Sequence, residues 1–182
     1  MTTGCRLRSA GMGCIVLMAA MVCSAPTGAA AQDSDRPSPV LDIVKRVASD
    51  PTTYVPAALA YEAHHLDWKS SQVFFQHGFL EHNGEFTLSG RADDTPVSDG
   101  AGNCTIVAGG FAVLGTSMVH NVSGALIERL LVERYPGHRS LLRRLGWIER
   151  VAFASYLSYL QSADHLRQWR RNERLARQLG YQ

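Results

Sequence analysis

The stretch YEAHHLDWKSSQVFF, residues 61–75, sets two histidines, two carboxylates, a lysine and two serines among aromatic side chains. Projected at about 100° per residue, it splits into two arcs. Glu62, His65, Lys69, Gln72 and Gln76 form a polar arc, with Leu59, Leu66, Val73 and Phe74 opposite. His65 is therefore expected to face water. His64, Asp67 and Ser71 lie on one line inside the apolar arc and are expected to point inward. An inward carboxylate beside an imidazole can orient the ring and make it a general base. A serine nearby could then act as a nucleophile. Alternatively, His64 and Asp67 could join a further histidine around a metal ion.

Partners for Asp67 must come from the C-terminal half. Ser117, His120 and Asn121 sit near the middle of one apolar stretch, and Ser155, Ser158, Ser162 and His165 form a stripe on the next. Counted back from Pro136 and Gly137, His120 stands level with residues 154–155, because antiparallel helices rise equally. His165 lies roughly 15 Å further along and is not expected to share a site with His120. If the helix carrying Asp67 runs antiparallel to the one carrying His120, Asp67 falls within a turn of that histidine. The expected buried cluster is Asp67, Ser71, His120, Asn121 and Ser155 as catalytic candidates, with His64, Asp67 and His120 as the metal candidates. No H-E-x-x-H, G-x-S-x-G or paired Glu-x-x-His pattern accompanies them. The favoured reading is a hydrogen bond that fixes helix register. It carries no cofactor, and catalysis and metal binding remain the alternatives.

The elements that position these residues are all helical. Ser38 and Pro39 suit an N-cap and first helical position, and Val40, Ile43, Val44 and Val47 recur at helical spacing. This predicts a short helix over 39–49, halted by Asp50 and Pro51. A second helix is predicted from near Thr53 to Gly78, with Pro56 tolerated in its first turn. Residues 81–103 carry Gly, Pro, Asp and Ser without period and read as a long loop, with "EFTLS" a candidate short strand. Two long helices follow, over about 104–135 and 138–178, broken by Pro136 and Gly137. The predicted fold is an all-α, three- or four-helix bundle: a long antiparallel hairpin plus one long and one short helix.

The N-terminus reads as a secretory signal peptide. Arg6 and Arg8 precede an apolar run over residues 14–25, and Ala29, Ala30 and Ala31 suit cleavage near Ala31. The expected segments are a signal over 1–31, a linker with a short amphipathic helix over 32–53, and a helical domain over 54–182. After cleavage the chain holds 16 basic and 16 acidic residues and keeps Cys104 alone. No intramolecular disulfide or Cys-based zinc site is then expected. The charge is uneven: residues 32–127 hold 5 basic and 11 acidic residues, and residues 128–182 hold 11 and 5. An exported chain with no net positive charge argues against nucleic acid as a partner. The arginines suit either solvated helix ends or anionic lipid headgroups.

Residues 106–127 are long enough to cross a bilayer and carry no Asp, Glu, Lys or Arg. Gly109, Gly110, Gly115 and Gly124 permit close helix approach. The favoured expectation is a buried central helix, with a membrane span as the alternative. "LDWKSSQ" followed by "GFLEHN" resembles a group of uncharacterised small bacterial helical membrane proteins, in which Asp and a Ser/Thr pair precede G-x-x-E-x-N-P. "ERLLVERYPGHR" and "SADHLRQW" are similar to the group's Arg-rich turns and His-containing tail, so the likeness covers about residues 60–170. Gly84 stands where the group has proline. The resemblance implies helices in a membrane and no activity. The functional expectation is an exported protein of the periplasm or cell envelope, membrane-associated and non-enzymatic. Its expected partners are a membrane surface, an envelope protein or a second copy through helix packing. The alternative is a hydrolase-like or metal-binding bundle built on Asp67 and His120.

Overall fold

A computed structural model describes residues 39–181. The expected signal segment and its expected cleavage point lie outside the described residues. Four α-helices pack together, and no strand forms among the described residues. They are α1 (Pro39–Ser49), α2 (Val55–Gln76), α3 (Asp99–Arg134) and α4 (Arg139–Leu179).

Local chemistry sets most of the boundaries. Asp50 ends α1 and caps the 3-10 turn Pro51–Thr53, its Oδ1 accepting from Thr52 N at 3.0 Å. Thr53 donates back to the Val47 carbonyl at 2.8 Å, which folds α1 against the start of α2. Gly78, at φ 83°, reverses the chain just after α2. Ser98 caps α3 by accepting from Ala101 N, so α3 begins five residues before the expected start. Gly180 ends α4 in the left-handed conformation, with Tyr181 N donating to the Ala176 carbonyl.

The "EFTLS" segment is not a strand. Gly84–Phe86 forms a 3-10 turn, and only the isolated antiparallel bridges Glu81–Asp94 and Thr87–Pro96 tie the loop together. The reason is tertiary: Phe86 is buried against Trp68, at 5.0 Å between ring centroids, which turns the chain inward. The loop is thus a folded cover over the end of α2.

α2 runs antiparallel to α3 and parallel to α4. Trp68 of α2 packs on Gly102 of α3, while Asn121 of α3 reaches Thr53 just before α2 begins. Two small apolar clusters form the core. Ala60, Val113 and Leu157 make one, and Trp68, Phe86 and Ile106 make the other. Within the predicted 32–53 segment, α1 packs on this body, with Arg46 pairing to Glu128 of α3 at 2.7 Å.

The partition of side chains corrects the expectation of a buried central helix. On α3 the buried positions are Gly102, Ile106, Val113, Ser117, Asn121, Ala125 and Glu128, one stripe that is largely small or polar. Its large apolar residues face outward: Val107, Phe111, Met118, Val119, Leu126, Ile127 and Leu130 are all exposed. Only 22% of its most apolar 18-residue window is buried, at a mean hydropathy of 1.4. α3 is the one described helix long and apolar enough to cross a membrane.

Candidate functional site

The interior polar residues fall into three layers along the bundle. Nearest the α3–α4 turn is a buried ion network. Glu128 Oε2 receives Arg46 Nη2 at 2.7 Å and Arg150 Nη1 at 3.1 Å, and Arg150 Nε reaches Asp50 Oδ2 at 3.0 Å. Glu128 and Arg150 are each about 95% buried. Burial alone would raise the Asp50 carboxyl, but bonds from Thr52 and the Arg150 charge outweigh it and hold the group below its ordinary value. Gly146 makes room for the network: a Cβ there would stand 2.5 Å from Glu128 Oε2.

The second layer contains Asn121, whose Nδ2 donates to Thr53 Oγ1 at 2.8 Å and Thr52 Oγ1 at 3.0 Å. Beside it, on a different face, His120 stacks on Phe153 at 3.5 Å. Its Nε2 lies 2.7 Å from Glu149 Oε1, an ion-pair distance but out of line for a hydrogen bond.

The third layer belongs to α2 and α4. Asp67 Oδ2 meets His165 Nδ1 at 2.8 Å. Asn172 Nδ2 is shared among Ser71 Oγ at 2.9 Å, Ser70 Oγ at 3.0 Å and Asp67 Oδ1 at 3.4 Å. His64 lies against His165, ring centroids 3.6 Å apart, and its Nε2 is 3.2 Å from the Gln161 carbonyl.

The expected cluster is therefore not one site. Asp67 and Ser71 stand in the third layer, and Asn121 and His120 in the second with different partners. Ser155 is exposed. The metal candidates are divided likewise, His64 and Asp67 from His120. Asp67 lies further from the α3–α4 turn than equal helix rise predicts, beside Trp68 and Gly102 rather than level with Thr116. Residues 77–98 separate α2 from α3, so chain connectivity leaves the register between them open. The contacts of Trp68 with Gly102 and of Asn121 with Thr53 decide it. Sequence reasoning missed Asn172 and gave His165 no partner, although both share a helix face with Ser158 and Ser162. His65 is half-buried, its ring stacked on Tyr61, rather than turned fully to water.

What can the third layer do? Asp67 orients His165 as the carboxylate of a catalytic dyad would. A nucleophile is missing from the arrangement: both serine hydroxyls donate to the Asp67 main-chain carbonyl, at 2.9 and 3.0 Å. A hydroxyl committed to its own helix is not poised to yield its proton to an imidazole. Among the described residues, no three His, Cys, Asp or Glu side chains converge as metal ligands. The layer instead locks α2 to α4 in one register.

Of the titrating groups the folded loop adds to this end, Glu81 is the one half-buried near Asp67. Burial, and the Asp67 charge nearby, push the Glu81 carboxyl above its ordinary value, against bonds from Asn83 and His82. A carboxyl raised in the fold costs stability once ionised, and that cost fades as pH falls towards its unfolded value. Glu81→Gln is therefore expected to be more stable than wild type at pH 7, by less than about 1 kcal/mol because the group is half exposed. The difference should vanish below about pH 4. Thermal unfolding followed by circular dichroism at both pH values checks this, and a variant no more stable at pH 7 would refute it.

Fold and site together define an all-α bundle with polar layers inside and apolar helix faces outside. Compared with known protein families, curated proteins and solved structures, the chain gives no match. Cys104 is disulfide-bonded in the full chain.

Proposed function

We propose that the protein is an exported, non-enzymatic component of the cell envelope that lies within a lipid bilayer, with α3 as the spanning helix and α4 returning beside it. The observation carrying this reading is the exposure of the apolar face of α3 over residues 106–127. In water such a face costs roughly 25 cal/mol per Å2 left unburied, whereas lipid removes the cost. α4 supports the reading. Residues 151–163 are uncharged, and Tyr156, Tyr159 and Leu160 are exposed there. The charged residues bordering that stretch are paired, Glu149 with His120 and Arg150 with Glu128 and Asp50. Ionisable groups at membrane depth are expected to be arranged in this way.

The hydrolase or metal-binding alternative rested on Asp67 beside His120, and the two stand in different layers. A structural or partner-binding role fits the remaining features, since the Glu128–Arg150, Asn121–Thr53 and Asp67–His165–Asn172 groups bond across helices. Membrane fractionation tests the reading. The chain should stay with the membrane through a carbonate wash and dissolve only in detergent. Release by carbonate would refute embedding and leave a bundle whose apolar faces are covered by protein.

A further inference from the structure

We propose that the end of the bundle formed by α1 and the α3–α4 turn binds the headgroups of anionic phospholipids. The proposal rests on the membrane reading for its orientation, and its own support is a contrast in net charge between the two ends of the described bundle. Arg134, Arg139, Arg143 and Arg144 are exposed at this end, and none forms an ion pair with a described residue. Most acids among the described residues at this end already face another partner. Glu128 holds Arg46 and Arg150, Glu133 holds Arg129, and Glu149 holds His120. On α1, Asp42 is offset by Lys45. Four guanidinium groups without an ion pair to a described residue therefore remain, each with a planar fork suited to a phosphate oxygen pair.

The arginines alternate with apolar side chains. Tyr135, Leu141, Leu145 and Trp147 are exposed on the same turn, continuous along the chain with Ile127, Leu130 and Leu131 of α3. α1 adds to this end, pinned there by the Arg46–Glu128 bond. It buries Val47 and exposes Val40, Leu41 and Val44. A short amphipathic helix with its apolar side outward, beside Tyr and Trp rings and arginines, has the character of a membrane interface. The other arginine run differs in its surroundings, not in its pairing. Arg170, Arg171, Arg174 and Arg177 also form no ion pair with a described residue, but they lie at the opposite end, where the loop adds Glu81, Glu85, Asp93, Asp94 and Asp99 and makes the net charge acidic rather than basic. The occupant argued for is bilayer phospholipid and not free phosphate, because the apolar residues among the arginines give a soluble anion nothing to bind.

Near an anionic surface each arginine contributes about a five-fold factor, so four amount to several hundredfold. The test is cell-free synthesis of the full chain with vesicles of phosphatidylcholine alone or with phosphatidylglycerol added, followed by flotation. The wild type should favour the anionic vesicles, less so at high salt and unaffected by inorganic phosphate at equal ionic strength. Replacing Arg134, Arg139, Arg143 and Arg144 together by Gln should cut that preference more than tenfold, while replacing them by Lys should keep most of it. The same Gln exchange at Arg170, Arg171, Arg174 and Arg177 should leave it largely intact. No preference in the wild type, or equal loss at both ends, would overturn the proposal. A carbonate wash of the floated vesicles separates it from the membrane reading. Chain stripped by carbonate yet selective for anionic vesicles refutes embedding alone, and chain retained without selectivity refutes the headgroup surface alone.

Discussion

Arg150→Ala is expected to cost about 3–5 kcal/mol of stability, the largest effect of any single substitution in the ion network. The guanidinium bridges Glu128 at 3.1 Å and Asp50 at 3.0 Å, joining α4 to α3 and to the turn before α2. Its removal leaves Glu128 buried with only the half-exposed Arg46 to balance it. Most of the loss is the cost of that stranded carboxylate, so removing both charges should hurt less than removing one. Arg150→Met with Glu128→Leu is expected to recover much of the stability, because an apolar pair of similar volume avoids the desolvation cost. Asp50 adds a pH dependence in the wild type. Its carboxyl is lowered by folding, so its contribution is complete above the ordinary value of 3.8 and is lost as pH falls through the folded value. Thermal unfolding in detergent, read by far-ultraviolet circular dichroism, measures all three chains. A loss below about 1 kcal/mol for Arg150→Ala, the range of exposed pairs, would show the network to be dispensable.

Gly102→Ala is the second large effect, at about 3 kcal/mol. A Cβ at this position would stand 2.2 Å from Cε2 and 2.3 Å from Cζ2 of Trp68. The indole has little freedom to retreat. It is buried, stacks on Phe86, leans on Phe75 at 5.6 Å, and donates from Nε1 to Asp99 Oδ1 at 3.1 Å. The added methyl must therefore push α3 away from α2 and loosen the loop that Phe86 anchors. Trp68→Phe in the same chain should restore part of the loss, since the smaller ring vacates the colliding atoms. The double-mutant cycle gives the answer directly. Additive losses, with no rescue, would mean that α2 and α3 are not in contact here.

Helix existence was legible because its signals are local. Pro39 starts α1, Asp50 and Pro51 stop it, and Pro136 and Gly137 break the long hairpin. Each acts through backbone dihedrals or a missing donor, which depend on near neighbours alone. The start of α3 was less legible. Gly100 and Gly102 make residues 99–103 look like loop, and only the packing of Trp68 on Gly102 explains a glycine inside the helix. The inward turn of Asp67 and Ser71 could be read from helical periodicity, but their partners could not. His165 and Asn172 lie about a hundred residues away in the chain.

By itself the amino-acid sequence determined that this protein is helical, where its helices break, and that Asp67, Ser71 and Asn121 turn away from water, though it misplaced Ser155 and His65. The tertiary structure decided how those side chains pair, because a long loop leaves the register of α2 free until side chains meet. It also decided that the apolar face of α3 lies outside, since hydropathy measures a residue's preference and only packing shows what surrounds it.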